Sequence, residues 1–357
     1  MKQSGGNWVR ARLSWNLICL LTLLIATGLG AGAYAAPAKG ALDIYFIDVE
    51  GGQSTLFVTP AGESLLIDSG WPGNNGRDAD RIVAAAKLAG LKKIDYVLTT
   101  HYHIDHVGGV PQLMDRFPVG TFIDHGPNRE TGDEATEHGW EAYQKVLATH
   151  PQRLIVKPGD KLPLKGLDAT VVSADGALID KDMSASDVAN PYCSASVHYD
   201  ADTTENSRSV GTYFTFGKVR LLDLGDLTAD KELQLACPEN KLGKVDVYIV
   251  SHHGWYQSSS MALVNGITPR IAIMDNGAKK GGSPAVIDTI KRSPGLESLW
   301  QLHYSEEGAA AHNTTDPYIA NLAGPDAGHY LKLTVNADGS MDVFNPRTQK
   351  SQHYAAK

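Results

Sequence analysis

The feature that most constrains this chain is a run of three histidines and one aspartate directly after an apolar segment. The segment Ile94–Thr99 predicts a buried β-strand, and one residue later the chain reads His-Tyr-His-Ile-Asp-His. Alternate side chains of an extended backbone share a face, so His101 and His103 can hold one ion. If a helix starts there, Asp105 and His106 can reach a second ion close by. Imidazole and carboxylate groups suit Zn²⁺ and similar divalent metals, so the motif predicts a metal site.

Short apolar runs rich in β-forming residues alternate with helical patterns along the rest of the chain. The predicted strands are Leu42–Asp48, Ser54–Thr59, Ser64–Asp68, Ile94–Thr99, Val119–Ile123, Leu154–Val156, Ala169–Val172, Gly211–Phe216, Val219–Leu224, Val245–Val250, Arg270–Met274, Leu331–Val335 and Met341–Phe344. The predicted helices are Asp78–Leu91, Val107–Phe117, Glu134–Leu147 and Pro284–Lys291. This alternation indicates an α/β fold, and the lack of a Pro/Ser-rich linker favours one large domain. Asp175–Ser209 lacks periodicity and is too long for an ordinary connection, which predicts a functional loop.

The first residues have the pattern of an export signal. Three basic residues, Lys2, Arg10 and Arg12, precede the apolar run Leu17–Ala26, and an Ala-Tyr-Ala cleavage pattern follows. The apolar run is far shorter than the ~20 residues that span a bilayer. We therefore expect residues 1–35 to be a Sec-type signal peptide, and the mature protein to be periplasmic or secreted with no stable transmembrane span. An uncleaved N-terminal anchor is the alternative.

Charge and cysteine content bear on the partners and the compartment. The formal net charge is −8, and loss of the three basic leader residues makes it −11. A chain this acidic, without clustered Lys and Arg, is not expected to bind nucleic acid. After export, Cys193 and Cys237 remain in an oxidising compartment. The sequence leaves open whether they form a disulfide or are two buried free thiols.

Four segments resemble the signature of the metallo-β-lactamase-fold hydrolases, and they come in the order of that family. The histidine motif is the first point of likeness. Leu65–Gly70 looks like the early "D-(T/S)-G" segment, Leu222–Asp226 like the strand-ending "G-D", and Ser251–Gly254 like the late "HHG". The resemblance implies an αββα sandwich of two mixed β-sheets. We place this single domain at residues 41–346 and a C-terminal tail at 347–357.

The nearest branch is the ComEC-like one, which includes phosphorylcholine esterase-like proteins. Its opening "I-D-V-G-Q-G-D" is similar to Ile47–Gln53, with departures at Glu50, Gly51 and Gln53. A different local backbone is expected there.

A histidine that many members of the superfamily carry between the first motif and the "G-D" is missing. Its usual slot reads Glu205–Ser209, and the ComEC-like branch also lacks this ligand. Whether His198 replaces it stays open. Residues that could contact the substrate or support the ligands are His198, Asn206, Trp255 and His312.

The resemblance also implies two divalent ions and a role for each motif residue. The expected metals are two Zn²⁺ ions, with Mn²⁺ or Fe as alternatives. The implied ligands are His101, His103, Asp105, His106, Asp226 and His253, of which Asp226 bridges the ions. A water held between the ions would act as the nucleophile. Asp105 would orient it, and His252 would stabilise the transition state or protonate the leaving group. The two adjacent histidines can exchange roles, and that assignment stays open.

The expected activity is hydrolysis of a small or envelope-linked phosphodiester. The ComEC-like branch points to phosphodiesters, whereas the acidity argues against long polyanions such as DNA. The antibiotic-hydrolysing branch has Cys or Ser in place of Asp226 and keeps the middle histidine, so a β-lactamase is not expected. Lactone or other ester hydrolysis on the same fold is one alternative. A non-catalytic envelope binding protein with a degenerate metal site is another. The sequence does not determine the oligomeric state.

Overall fold

Seventeen strands and eight α-helices are found in the part of the chain that the structure describes. The structure is a computed structural model that describes residues 40–150, 152–183, 189–197 and 199–357. The strands are β1 Leu42–Phe46, β2 Thr55–Val58, β3 Ser64–Ile67, β4 Ile94–Leu98, β5 Val119–Asp124, β6 Arg153–Ile155, β7 Asp168–Ala174, β8 Ala177–Leu178, β9 Gly211–Phe216, β10 Val219–Asp223, β11 Val247–Ile249, β12 Ile271–Met274, β13 Ser298–His303, β14 Ile319–Asn321, β15 Leu331–Val335, β16 Met341–Asn345 and β17 Lys350–Tyr354. The helices are α1 Arg77–Leu88, α2 Ile104–Val107, α3 Val110–Met114, α4 Glu134–Thr149, α5 Ala229–Ala236, α6 Met261–Ile267, α7 Pro284–Lys291 and α8 Ala309–His312.

The strands form two mixed sheets. The first has nine strands in the order β17-β16-β15-β1-β2-β3-β4-β5-β6, and β3 to β6 run parallel. The second has eight strands in the order β14-β13-β12-β11-β10-β9-β7-β8, and β10 to β14 run parallel. In both sheets the remaining neighbours are antiparallel.

Three apolar layers hold the sheets and helices together. The sheets face each other across one core, in which Phe57 of β2 stacks on Phe214 of β9 with ring centroids 4.6 Å apart. A second layer packs α1 and α4 on the first sheet, with Ile82 and Tyr143 fully buried. A third layer packs α5, α6 and α7 on the second sheet. The predicted αββα sandwich of two mixed sheets is therefore confirmed.

The sequence of β1 shows why both faces of a central strand must be apolar. Leu42, Ile44 and Phe46 point into the core between the sheets. Tyr45, between them, lies in the outer layer beneath α1. A strand covered on both faces reads as a continuous apolar run rather than as an alternation. The helix α1 adds the complementary pattern, because its buried residues recur at helical spacing.

Some elements differ from the sequence predictions. The helices α5 and α6 and the strand β13 have no counterpart among the predicted elements. In β13 all six residues are buried, and the polar Gln301 is satisfied internally by the side chain of Asn313 at 2.9 Å. The polar residues interrupt the apolar pattern, so the strand carries little sequence signal.

The C-terminal boundary is also corrected. We expected a tail at 347–357, but β17 pairs with β16 in the nine-stranded sheet. Only Tyr354 of this strand is buried, and its hydroxyl accepts a hydrogen bond from the Trp300 indole at 2.9 Å. Four of the five residues are exposed, as is common at a sheet edge, and this explains why apolar periodicity does not reveal the strand.

The expected signal peptide, residues 1–35, lies outside the described residues. None of the helices in the described part of the chain combines the length and hydropathy that a membrane span requires.

Cys193 and Cys237 form a disulfide with a Cα–Cα distance of 5.9 Å. The bridge joins residues 44 positions apart, and it ties the segment before β9 to the end of α5. This settles the pairing that the sequence leaves open.

Replacing both cysteines by serine should lower the free energy of unfolding by about 2–4 kcal/mol, because an open loop of this length gives the unfolded chain more conformations. Urea unfolding followed by circular dichroism measures the difference. Wild-type protein in reductant is the control and should move in the same direction. Equal unfolding midpoints for variant and wild type would contradict the prediction.

Candidate metal centre

The candidate ligands come from loops that follow parallel strands of both sheets. His101 follows β4 in the first sheet, Asp226 follows β10 in the second, and His253 follows β11 beside it. Backbone hydrogen bonds join these loops. The amide of Val210 donates to the Thr100 carbonyl at 2.9 Å, and a later bond connects the "G-D" and "HHG" segments at 3.0 Å. The site therefore lies at the edge where the two sheets meet.

Backbone conformation at the "G-D" and "HHG" segments is unusual. Gly225 has φ 56°, and a Cβ there would lie 3.0 Å from Cβ of Thr100. His252 and His253 have φ 56° and 54°. Non-glycine residues rarely adopt this left-handed region, and such strain is concentrated at functional sites. The strained turn directs both imidazoles towards Asp226.

Four buried side chains form the centre of the site. The ligand atoms of Asp105, His106, Asp226 and His253 all lie within 4.8 Å of one another. His106 Nε2 is 3.1 Å from Asp226 Oδ2, and His253 Nε2 is 3.3 Å from Asp105 Oδ2. The short helix α2 begins after His103, so the predicted turn from strand to helix is present. This turn brings Asp105 and His106 to the same point.

His101 and His103 lie next to this group. His101 is fully buried, and its Nε2 is 4.0 Å from Asp226 Oδ2. The rings of His101 and His103 have centroids 4.7 Å apart. The structure therefore brings the six expected ligands to one place, four in a tight group and two beside it.

A neighbouring polar group lies beside the other nitrogen of each ligand imidazole. His106 Nδ1 lies 2.7 Å from Asp68 Oδ2, which leaves Nε2 for the centre of the site. His101 Nδ1 lies 3.0 Å from the Thr100 hydroxyl, which again leaves Nε2. Such contacts fix the tautomer and orientation of a metal-binding histidine.

The same arrangement continues at the remaining two imidazoles. His103 Nε2 contacts Glu130 Oε2 at 3.0 Å, so its Nδ1 is the nitrogen left to bind. His253 Nδ1 lies 3.5 Å from Asp275 Oδ1, while its Nε2 faces the carboxylates. Glu130 and Asp275 stand on different loops, and neither is near a motif in the sequence.

The charges of the buried group favour a bound cation. Burial raises the pKa of Asp226, but the surrounding histidines lower it well below the ordinary value. For Asp105, Lys280 and His106 outweigh burial in the same direction. Burial lowers the pKa of His253, yet the carboxylates raise it to about 10. The ionised carboxylates thus favour the protonated form of the nearby imidazoles when no other cation is bound. A metal ion would replace those protons.

Two orphaned atoms test whether the residues fit metal ions. His101 Nε2 and Asp226 Oδ1 are both buried and have no hydrogen-bond partner among the described residues. Buried polar atoms are normally paired, and an ion accounts for such exceptions. Imidazole nitrogen and carboxylate oxygen are also the atoms that Zn²⁺ prefers. The residues present therefore fit divalent metal ions.

His252 lies at the side of the four-residue group and is not a member of it. Its Nε2 is 3.4 Å from Asp226 Oδ2, and its Nδ1 is 3.2 Å from the Ser258 hydroxyl. Burial lowers the pKa of His252 to about 4. The residue is buried, so the ring is neutral and can exchange hydrogen bonds with a bound oxygen.

The further candidates fall in different places. His198 lies outside the described residues. Asn206 is buried in a one-turn 3-10 helix, and its Oδ1 has no partner in the described part of the chain. Trp255 is half-buried with its ring centroid 5.4 Å from that of Tyr256. His312 on α8 pairs instead with Asp288 of α7 at 3.0 Å, so the structure does not bring it into the group.

The opening segment Ile47–Gln53 was expected to have a different local backbone where its sequence departs from the family pattern. Glu50 has φ 58° at a position where the pattern has glycine. Gln53 donates from Nε2 to Asp223 Oδ2 at 2.7 Å. Between them, a Cβ on Gly52 would lie 2.3 Å from the Asp105 carbonyl oxygen. The segment therefore packs directly on the loop that carries a ligand.

Sequence reasoning missed four residues that contact the ligands. Asp68, in a segment quoted only for its likeness, holds His106. Glu130 contacts His103 at 3.0 Å, and Asp275 lies 3.5 Å from His253, both from loops that carry no motif. Lys280, which belongs to no motif, contacts Asp105. Of these four residues, only Asp68 had a signal in the sequence, namely the likeness of its segment to the "D-(T/S)-G" pattern.

Asp68→Asn should weaken Zn²⁺ binding about 10–100-fold, since the loss of a group that orients a ligand has that effect. An amide in this place no longer accepts strongly from His106 Nδ1. Competition against a chromophoric chelator measures the affinity. The matched control is Asp80→Asn, which removes an exposed carboxylate paired with Arg116 on the surface. Equal affinity in both variants would show that Asp68 has no such role.

Comparison with known proteins finds one family description that matches part of the chain, and relatives that align with part of it. The family description "Metallo-beta-lactamase superfamily" matches residues 48–177. A UPF0173 metal-dependent hydrolase of Polynucleobacter asymbioticus is 34% identical over 159 residues, which are 44% of this chain and 50% of that protein. Hydroxyacylglutathione hydrolase of Klebsiella pneumoniae is 33% identical over 109 residues, 29% of this chain and 36% of that protein. Recombination protein 2 of Haemophilus influenzae is 23% identical over 279 residues, 78% of this chain and 28% of that protein.

The chain spans half or less of the length of these curated relatives. Among solved structures, the metallo-beta-lactamase fold protein YhfI of Bacillus subtilis aligns over 82% of this chain and 100% of its own, at 13% identity and a TM-score of 0.42. The family match covers residues 48–177, the part of the chain that carries the histidine motif, and this part is similar to the metallo-beta-lactamase superfamily.

Proposed function

We propose that this protein is an exported, dinuclear metal-dependent hydrolase that cleaves a small or envelope-linked phosphodiester. One observation carries the proposal. Buried imidazoles and two ionised carboxylates converge at one sheet edge, and neighbouring groups orient the imidazoles so that their free nitrogens can bind metal. In a purely structural cluster the buried His101 Nε2 would also be paired, whereas it has no hydrogen-bond partner in the described part of the chain.

The ligand set divides naturally between two ions. Asp105, His106 and His253 would hold one, and His101 and His103 the other, with Asp226 in contact with both sets. Bound divalent ions would supply an activated water and would stabilise negative charge that develops on the substrate.

The chain's own groups supply orientation and hydrogen bonds. The carboxylate of Asp105 is held in the ionised form. It can therefore accept a hydrogen bond from the attacking water and orient that water. His252 is fixed by Ser258 on one side of its ring. Its Nε2 faces the centre and can donate to an oxygen of the substrate or of the leaving group. The four grouped residues are buried, and the low dielectric constant around them strengthens these interactions.

Three features support a phosphodiester. The bridging position is Asp226 rather than Cys or Ser, which distinguishes the chain from the antibiotic-hydrolysing pattern. The ComEC-like pattern of the opening segment points to phosphodiesters. The charge of −11 that we expect after removal of the leader disfavours long polyanions, so a small or surface-linked substrate fits better.

Export is supported by the leader pattern and by the disulfide. Disulfides persist in oxidising compartments and are rare in the bacterial cytosol. The bridge between Cys193 and Cys237 is therefore what a periplasmic or secreted enzyme would carry.

Hydrolysis of a lactone or another ester is the second candidate. The similarity of part of the chain to a hydroxyacylglutathione hydrolase favours it. A non-catalytic binding protein is the third, and the missing middle histidine is the one feature in its favour.

His101→Ala and Asp226→Ala should each abolish metal-dependent turnover, and purified wild-type protein should carry close to two metal ions per chain. Elemental analysis and a substrate panel of a bis-aryl phosphodiester, a lactone and a β-lactam measure both. His353→Ala is the control, since His353 lies exposed on β17.

Each outcome separates the candidates. Turnover of the phosphodiester alone supports the proposal, and turnover of the lactone alone supports the ester alternative. Wild-type protein that binds no metal tightly and turns over nothing supports the binding protein. Full activity in either ligand variant would reject the site assignment.

A further inference from the structure

Lys280 is a cation directly at the candidate metal centre. Its ammonium group forms an ion pair with Asp105, one of the four grouped ligands. Within the described ranges of the chain, it is the one Lys or Arg side chain in an ion pair with a proposed ligand. The ammonium also lies 4.8 Å from the centroid of the Trp71 ring. The side chain is 33% exposed, so it is accessible from solvent at the mouth of the site.

The turn that carries Lys280 is packed tightly on the ligand segments. The amide of Gly277 donates to the Lys280 carbonyl at 2.9 Å and closes the turn. A Cβ on Gly51 would lie 2.8 Å from Cβ of Lys280, and a Cβ on Gly281 would lie 2.2 Å from the His253 carbonyl oxygen. Only glycine permits these approaches. The position of the lysine is therefore set by the same backbone that sets the ligands.

A purely structural ion pair does not suit this geometry. Asp105 is a proposed metal ligand, so a divalent ion takes over the charge that Lys280 now neutralises. The ammonium and the ion then repel each other across one carboxylate. With the metal ion bound, the Lys280 ammonium would still lie over Trp71 at the opening of the site, but no anion would pair with it. A second negative group in the site would restore the pairing.

We propose that Lys280 is the residue that binds the anionic group of the substrate, in particular a non-bridging oxygen of a phosphodiester. This inference rests on the proposed function and adds a specificity-determining residue to it. Metal binding releases the ammonium from Asp105, and the substrate anion then takes the place of that carboxylate. The Trp71 ring holds the ammonium near this position by a cation–π contact. A neutral ester would gain little from the same residue.

The test uses three variants of the full-length protein loaded with Zn²⁺. Lys280→Met removes the charge and keeps the length of the side chain, while Lys280→Arg keeps the charge. Lys279→Met removes one positive charge from the exposed neighbour on the same turn and is the matched control. Isothermal calorimetry with inorganic phosphate, and separately with Zn²⁺ on metal-free protein, gives readouts that do not depend on turnover. Steady-state kinetics with the bis-aryl phosphodiester separate KM from kcat.

For Lys280→Met we expect phosphate binding to weaken about tenfold or more, as the loss of a charge-assisted hydrogen bond predicts. KM for the phosphodiester should rise by a similar factor, with a smaller change in kcat. Zn²⁺ binding should tighten by about threefold, because the competing ammonium is gone. Lys279→Met should match the wild type, and Lys280→Arg should retain phosphate binding.

Equal phosphate affinity in Lys280→Met and Lys279→Met overturns the assignment, with or without turnover. Weaker Zn²⁺ binding in Lys280→Met also overturns it, since that result means that the lysine supports the ligands. If phosphate affinity falls as expected but wild-type protein cleaves no phosphodiester, the reaction proposed above is wrong and Lys280 remains an anion-binding residue. A wild-type chain that binds no Zn²⁺ overturns both.

Discussion

The burial of two ionised carboxylates beside four imidazoles is the constraint on which the rest of the structure depends. Asp105 and Asp226 are almost completely buried, where an isolated carboxylate would be strongly disfavoured. Protonated imidazoles or bound cations offset that cost, whereas apolar side chains in the place of the imidazoles could not. The sheets, the strained turns and the glycine contacts all hold these groups at separations that a positive charge among them makes favourable.

The groups around the ligands complete the site. Asp68, Glu130 and Thr100 each hold one imidazole nitrogen and thereby choose which nitrogen remains free. These contacts come from the residue directly after β3, from the loop after β5 and from the loop after β4. A metal centre built on loops thus gains precision from side chains anchored at the ends of buried strands. The turn after β12 places Lys280 beside Asp105, where the proposed contact with the substrate would favour charged over neutral substrates.

Much of the fold and half of the site can be predicted from sequence because their signals are local. Central strands such as β1 and β4 are continuous apolar runs, and α1 and α4 have helical periodicity. The helices α5 and α6 are short, and their packing rather than their pattern defines them. The edge strand β17 has a single buried residue and no usable periodicity.

The sequence by itself determined the metal-binding chemistry, the order of the motifs and the apolar cores, because each depends on residues close together in the chain. Only the tertiary structure decided that Glu130 orients His103, that Cys193 pairs with Cys237, and that Lys280 reaches Asp105. Each of these pairs joins residues between 27 and 175 positions apart. Their proximity follows from the way two sheets close on each other, and no periodicity along the chain records it.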